Sequence, residues 1–170
     1  MLHFFLEHIE FFMGTLLAIP SWVVSAYIEK RKADKEFDNS IIQFFFSDRI
    51  NLKAFAEELA ISRDTTIIRD SHINMVETID NYFSNPGLTL KRKPTMSKFE
   101  EIKKAFYRLV EFEIENSSND PQQGISFIGD NKPKDNLELN AKYKKLADNY
   151  IIAVTSFIEY SHDRLSLILV

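Results

Sequence analysis

The chain has 170 residues, 45% of them hydrophobic, with no cysteine and a net charge of −4 from 21 basic and 25 acidic residues. This composition can bury a core and excludes a disordered chain. It also excludes disulfides and thiolate metal sites, and it argues against a general nucleic-acid binder, because phosphates want a basic face. Residues 1–33 hold three basic and three acidic groups, so the negative excess belongs to residues 34–170.

Residues 1–10, MLHFFLEHIE, precede the most informative stretch. Phe11 to Ile28, FFMGTLLAIPSWVVSAYI, is eighteen consecutive residues without charge, followed at once by Glu29-Lys30-Arg31-Lys32. Eighteen helical residues cover roughly 27 Å, close to the ~30 Å hydrocarbon core of a bilayer. Trp22 and Tyr27 lie in its second half, and Tyr27 suits the headgroup level. Gly14 and Pro20 are better tolerated in membrane helices than in soluble ones, and Pro20 removes one backbone donor. A membrane-spanning helix over about 11–28 is therefore expected. No Lys or Arg precedes it, and Lys30, Arg31, Lys32 and Lys35 follow, so the positive-inside rule places the N-terminus outside and the rest in the cytoplasm. A cleaved signal peptide fits less well, since its basic region comes before the apolar core. An interfacial helix needs a polar face that this segment lacks. The remaining alternative is a soluble all-helical protein in which 11–28 is a buried core helix.

Beyond the span, the helix is expected to continue through Lys35. Phe37, Ile41, Ile42, Phe44, Phe45 and Phe46 then read as a helix packed on more than one side. Ser47 to Asn51 offers cap residues and a break. Leu52, Phe55, Ala56 and Leu59 repeat every three to four residues, an amphipathic helix to about Ile61. Ser62 or Asp64 can cap the next helix, which carries Ile67, Ile68, His72, Met75, Val76, Ile79 and Phe83 and ends at Asn85-Pro86-Gly87. Leu88–Thr95 reads as short, extended and basic. Ser97-Lys98-Phe99-Glu100 has the spacing of a capping box, and a helix through Phe99, Ile102, Phe106, Leu109, Val110 and Ile114 follows. Residues 117–134 form the longest stretch without helical period and are expected to be a loop. Asp135–Glu138 can cap a last long helix through Tyr143, Tyr150, Val154, Phe157 and Leu165, and the final residues are apolar.

The fold class expected is all-α: one N-terminal transmembrane helix (anchor, 1–33) followed by a cytoplasmic antiparallel helical bundle of about five helices (34–170).

Chemistry is sparse. Ser161-His162-Asp163 has the residue types of a hydrolase triad, but consecutive helical residues diverge by about 100° and cannot converge. Glu159-x-x-His162 has the spacing of a helical ligand pair, yet a di-metal bundle needs two such pairs plus two further Glu. Glu111 and Glu115 share a helix face, with Arg108 as an ordinary partner for Glu111. His72 on an apolar face is expected to be a core histidine with a hydrogen-bond partner. Lys91-Arg92-Lys93 reads as a solvated turn, with anionic headgroups as the alternative contact. Four glycines make a phosphate cradle hard to build. No catalytic, cofactor or metal residues are therefore assigned. The expected function is non-enzymatic: a single-pass membrane protein whose bundle binds a protein partner or self-associates. Its expected partners are the lipid bilayer, an unidentified protein and possible further copies of the chain, and no nucleic acid. A membrane-perturbing, toxin-like effector aided by the apolar C-terminus is the alternative.

Overall fold

The computed structural model describes the backbone over residues 2–47, 49–65, 67–120, 125–128 and 137–169. It describes side chains over the same residues except 2–20, 67, 118–120 and 125–128. The described chain is mostly helical, with five α-helices and a small sheet. These are α1 (Leu2–Phe45), α2 (Leu52–Ser62), α3 (Asp70–Phe83), α4 (Lys93–Asn116) and α5 (Leu137–Tyr160), with strands β1 (Ile67–Arg69), β2 (Ser117–Asp120) and β3 (Ile125–Ile128).

Helix α1 is a single 44-residue element, so the helix expected at 37–46 is its own C-terminal end rather than a separate one. At 1.5 Å per residue it extends roughly 66 Å. Residues 21–33 are exposed, partial burial starts at Asp34, and Asp38, Ile41, Ile42, Phe45 and Phe46 are buried. This spacing of three and four is one helical face, and that face is the joint with the bundle. The bundle core is therefore α2 to α5 with the end of α1 inserted, four further helices rather than the five expected.

Aromatic rings fill this core. Phe45 lies 4.8 Å from Phe99 and 5.5 Å from Phe83, centroid to centroid. Phe83 meets Phe106 at 5.3 Å, and Phe99 meets Phe157 at 5.5 Å. Phe55 contacts Phe106, Tyr150 and His72. Most of these pairs are tilted or edge-on, the arrangements that the ring quadrupole favours, each contributing about 0.5–1.5 kcal/mol beyond area burial. Tyr150 is fully buried, and its hydroxyl donates to the Leu52 carbonyl.

Local chemistry sets the helix ends. Asn51, at φ 41°, caps α2 by accepting from the Ala54 amide at 2.9 Å. Lys103 of α4 donates to the Phe83 carbonyl at the end of α3. Asn85 accepts from the Gly87 amide at 2.9 Å, the Asx turn that separates α3 from α4. Helix α4 starts at Lys93, with Pro94 in its first turn, four residues before the expected capping box. Its cap comes from elsewhere: the buried Asp38 carboxylate on α1 accepts from the Lys91 amide at 2.7 Å and the Arg92 amide at 3.1 Å. The Lys91 ammonium sits 4.1 Å from the Phe37 ring centroid, and 3.9 Å from Asp34. Lys91 is exposed, as the solvated-turn reading expects, and its ammonium also borders the α1 joint.

The expected loop at 117–134 is in part a hairpin. Strand β3 pairs antiparallel with β2 and with β1, in the order β1-β3-β2. Residues 121–124 and 129–134 of that stretch lie outside the described residues. Helix α3 accordingly begins at Asp70, and Ile67-Ile68-Arg69 is strand rather than first helical turn. β-Branched residues suit a strand, and β3 offers Ile68 and its neighbours a ladder that a helix start would not use. Helix α5 gives way to a π-helical turn over Ser161–Leu165. Leu165, Leu167 and Leu169 are buried beyond it while Ile168 is exposed, an alternation that seats the chain end on the core.

The Asp38 joint is open to a direct test. Asp38→Ala removes the acceptor of two amides and is expected to lower stability by about 2 kcal/mol in urea titrations of the full chain in mild detergent. Asp38→Asn keeps one acceptor oxygen and is expected to lose less. Stability unchanged in both variants would show that the joint rests on the phenylalanines alone.

Candidate functional site

Two surfaces carry unexplained features. The first is α1 before the joint. Trp22 is 76% exposed, Tyr27 63% and Ile28 59%, and Val23 and Val24 are both about half exposed. At 100° per residue these positions point in all directions but one, the arc held by Ser21 and Ser25. An apolar surface that wraps most of a helix differs from the single stripe of a helix lying on a core. Residues 21–28 are thus not core of their own chain, and the buried-core alternative does not describe them. Glu29, Lys30, Arg31 and Lys32 are exposed directly after this surface. Among the described residues, no helix is long and apolar enough to cross a membrane. The span expected over Phe11–Ile28 is not borne out there; the side chains of its residues 11–20 lie outside the described residues.

The second is a cavity of about 280 Å³ between α3 and α4, lined by Ile73, Val76, Val110 and Ile114 with His72 and Glu113 among its walls. His72 Nε2 lies 3.1 Å from Glu113 Oε2, to which it donates, and 3.0 Å from Oε1. Both side chains are more than nine-tenths buried. The histidine is where its apolar helix face puts it, and its partner is Glu113, which the sequence reading passed over in favour of Glu111 and Glu115. The signal was present: Phe99, Ile102, Phe106, Leu109 continue by the same spacing to 113, so that a carboxylate occupies a core position. Ile114, assigned to the stripe, is instead 75% exposed.

Tyr143 of α5 is buried beside this pair. Its phenol is held well above the ordinary value of 10.0, first by burial and then by the Glu113 carboxylate. Burial alone raises Tyr150. Nearby, Ser71 donates to Glu58 at 2.9 Å, tying α3 to α2.

The remaining candidates stay apart. Glu111 and Glu115 are exposed along a shallow hollow shared with Asp80 and Tyr107. Glu159 and His162 line a separate hollow near the C-terminal residues, with His162 Nδ1 3.0 Å from Asp163. Ser161 is buried while His162 and Asp163 are exposed, so the three do not form a triad. Among the described residues, no group of three or more His, Asp or Glu is placed to hold a metal ion. Comparison of the chain with protein-family models, with curated proteins and with solved structures gave no match.

The buried pair and the buried tyrosines each make a measurable claim. His72→Leu strands Glu113 in an apolar site and is expected to cost roughly 3–5 kcal/mol in denaturant titrations, whereas His72→Leu with Glu113→Leu is expected to recover most of that loss. Equal losses in the single and double variants would mean that packing, not charge pairing, sets the cost. The raised phenols of Tyr143 and Tyr150 make the folded state hold protons that the unfolded chain releases near 10.0. Their contribution is complete below that pH and is lost as pH rises above it. In an alkaline titration, two of the six tyrosines are therefore expected to ionise only as the chain unfolds. Rapid phenolate formation by all six in folded protein would contradict the burial.

Proposed function

We propose that the chain is a membrane-anchored helical interaction protein. Residues 1–33 form the anchor, spanning about 11–28 with the N-terminus outside, and residues 34–170 form a cytoplasmic bundle that binds a protein partner. The observation that carries this reading is the exposed apolar surface of Trp22, Val23, Val24, Tyr27 and Ile28 around most of a helix. It continues an uncharged stretch and ends at Lys30-Arg31-Lys32. Such a surface calls for a cover, and lipid covers a helix on all sides at once. The basic cluster just beyond it sets the orientation and meets anionic headgroups, each basic residue contributing about 1 kcal/mol near the surface.

Gly14, Ala18, Ser21 and Ser25 recur at intervals of three and four and place small residues on one face, the arrangement by which membrane helices approach closely. Self-association through this face is part of the proposal. The effector reading gains nothing from the chain's end, because Leu165, Leu167 and Leu169 already serve the core.

Fractionation with a carbonate wash and a detergent control tests the anchor. Full-length protein is expected to stay in the washed membrane, and a chain starting at Asp34 is expected to be soluble and folded. Full-length protein in the soluble fraction would end the membrane reading and assign the apolar helix surface to a protein partner.

A further inference from the structure

The cavity beside His72 does not stand alone. Val110 and Ile114 line it and also line the neighbouring hollow of about 530 Å³ that holds Asp80, Glu111 and Glu115. The two are therefore one groove along α3 and α4. Apolar side chains stand along it, with Ile114 75%, Tyr107 39% and Ile73 38% exposed. Its polar groups are carboxylates: Glu77 and Glu113 in the first part, Asp80, Glu111 and Glu115 in the second. No lysine or arginine is among the described residues that line either part. Glu113 is set apart from the others: it is more than nine-tenths buried, with His72 Nε2 3.0 Å from its Oε1 and the Tyr143 hydroxyl beside its carboxylate, so the acidic face open to a partner is made by the exposed Glu77, Asp80, Glu111 and Glu115. Exposed carboxylates with no lysine or arginine among the lining residues call for a cationic complement.

We propose that this groove binds a basic amphipathic helical segment of a protein partner. Its apolar face covers Ile73, Val76, Val110 and Ile114, and its basic residues meet the exposed rim carboxylates Glu77, Asp80, Glu111 and Glu115. Arginine suits the rim because its hydrocarbon stem packs on the apolar surface and its planar head brings several donors to a carboxylate. A helical segment fits better than a small amine because the groove continues past the cavity into a second acidic stretch. Apolar anchors in a groove with charges at the rim are the usual form of helix recognition. This inference rests on the reading of residues 34–170 as a partner-binding module and names the chemistry of that partner.

The test uses the full chain in uncharged detergent micelles and a labelled synthetic peptide of about eighteen residues, long enough to form a helix. The peptide carries leucine on one face and arginine on the other, and empty micelles serve as blank. Fluorescence anisotropy is expected to show saturable binding that weakens at higher ionic strength. The exposed triple variant Glu111→Lys, Ile114→Ser, Glu115→Lys, which leaves the core intact, is expected to weaken it at least about tenfold. A peptide of the same composition with its apolar face dispersed is expected to bind as weakly. Equal binding by the triple variant or by the dispersed peptide overturns the proposal. So does saturable binding of hexylamine without binding of the peptide, which assigns the cavity to small cations. Failure here with the chain retained in washed membranes removes the groove and leaves the anchor; loss of membrane retention with peptide binding intact does the reverse.

Discussion

The structure depends on one helix living in two environments. From Ser21 to residue 33, α1 is exposed on every side; five residues later, at Asp38, it is inside the bundle. The change is made by a single face, Asp34, Phe37, Asp38, Ile41, Ile42 and Phe45, and the order of residue types along it matters. Asp38 comes first among the buried ones and meets the start of α4, where two amides would otherwise lack an acceptor. Phe45 comes last and reaches Phe83 and Phe99 at the centre. A polar contact fixes direction at the rim, and an apolar one supplies burial at depth. Exchanging the two would bury a carboxylate among rings, where its desolvation is uncompensated.

The same ring network explains how a polar pair is tolerated beneath it. His72 touches Phe55, which touches Phe106 and Tyr150, so the imidazole is packed as an aromatic side chain on one side and hydrogen-bonded on the other. Replacing a buried pair by well-packed apolar residues is often neutral or stabilising. Stability is therefore a weak reason for His72 and Glu113 to be there together. Both side chains are more than nine-tenths buried at the edge of the α3–α4 cavity, so what the pair adds is a directional tie between these two helices.

Much of the helical order was legible because core helices repeat every three to four residues. Leu52, Phe55, Ala56 and Leu59 gave α2 its limits, and Asn51 its cap. Asn85-Pro86-Gly87 stopped α3 as turn chemistry requires. The misreadings share a cause, which is that each was decided by a distant segment. Ile67 and Ile68 fit a helix period, and only pairing with β3 makes them strand. Ser97 and Glu100 fit a capping box, but Asp38, more than fifty residues away, lets α4 start earlier. Lys91 is solvated as expected, but its contacts with Phe37 and Asp34 could not be read from the sequence. Glu113 was hidden for another reason: a carboxylate in a core stripe reads as an interruption unless its partner is known, and His72 lies 41 residues upstream.

Continuity of α1 has a further consequence. Between Glu29 and Phe37 the helix contains neither glycine nor proline, and both ends of this segment are held in one helical run. The bundle joint and the exposed apolar surface are thus in fixed phase, about 100° and 1.5 Å per intervening residue. Whatever covers Trp22, Val23, Val24, Tyr27 and Ile28 therefore also orients the bundle, because no hinge separates them. Lys30, Arg31 and Lys32 occupy the connecting turns and are exposed, while Lys91 is already committed to Phe37 and Asp34. The residues that line the α3–α4 groove are acidic and apolar, with no lysine or arginine among them. That lining carries no neutralising neighbour of its own, and it is the reason a basic segment from another molecule is the better complement.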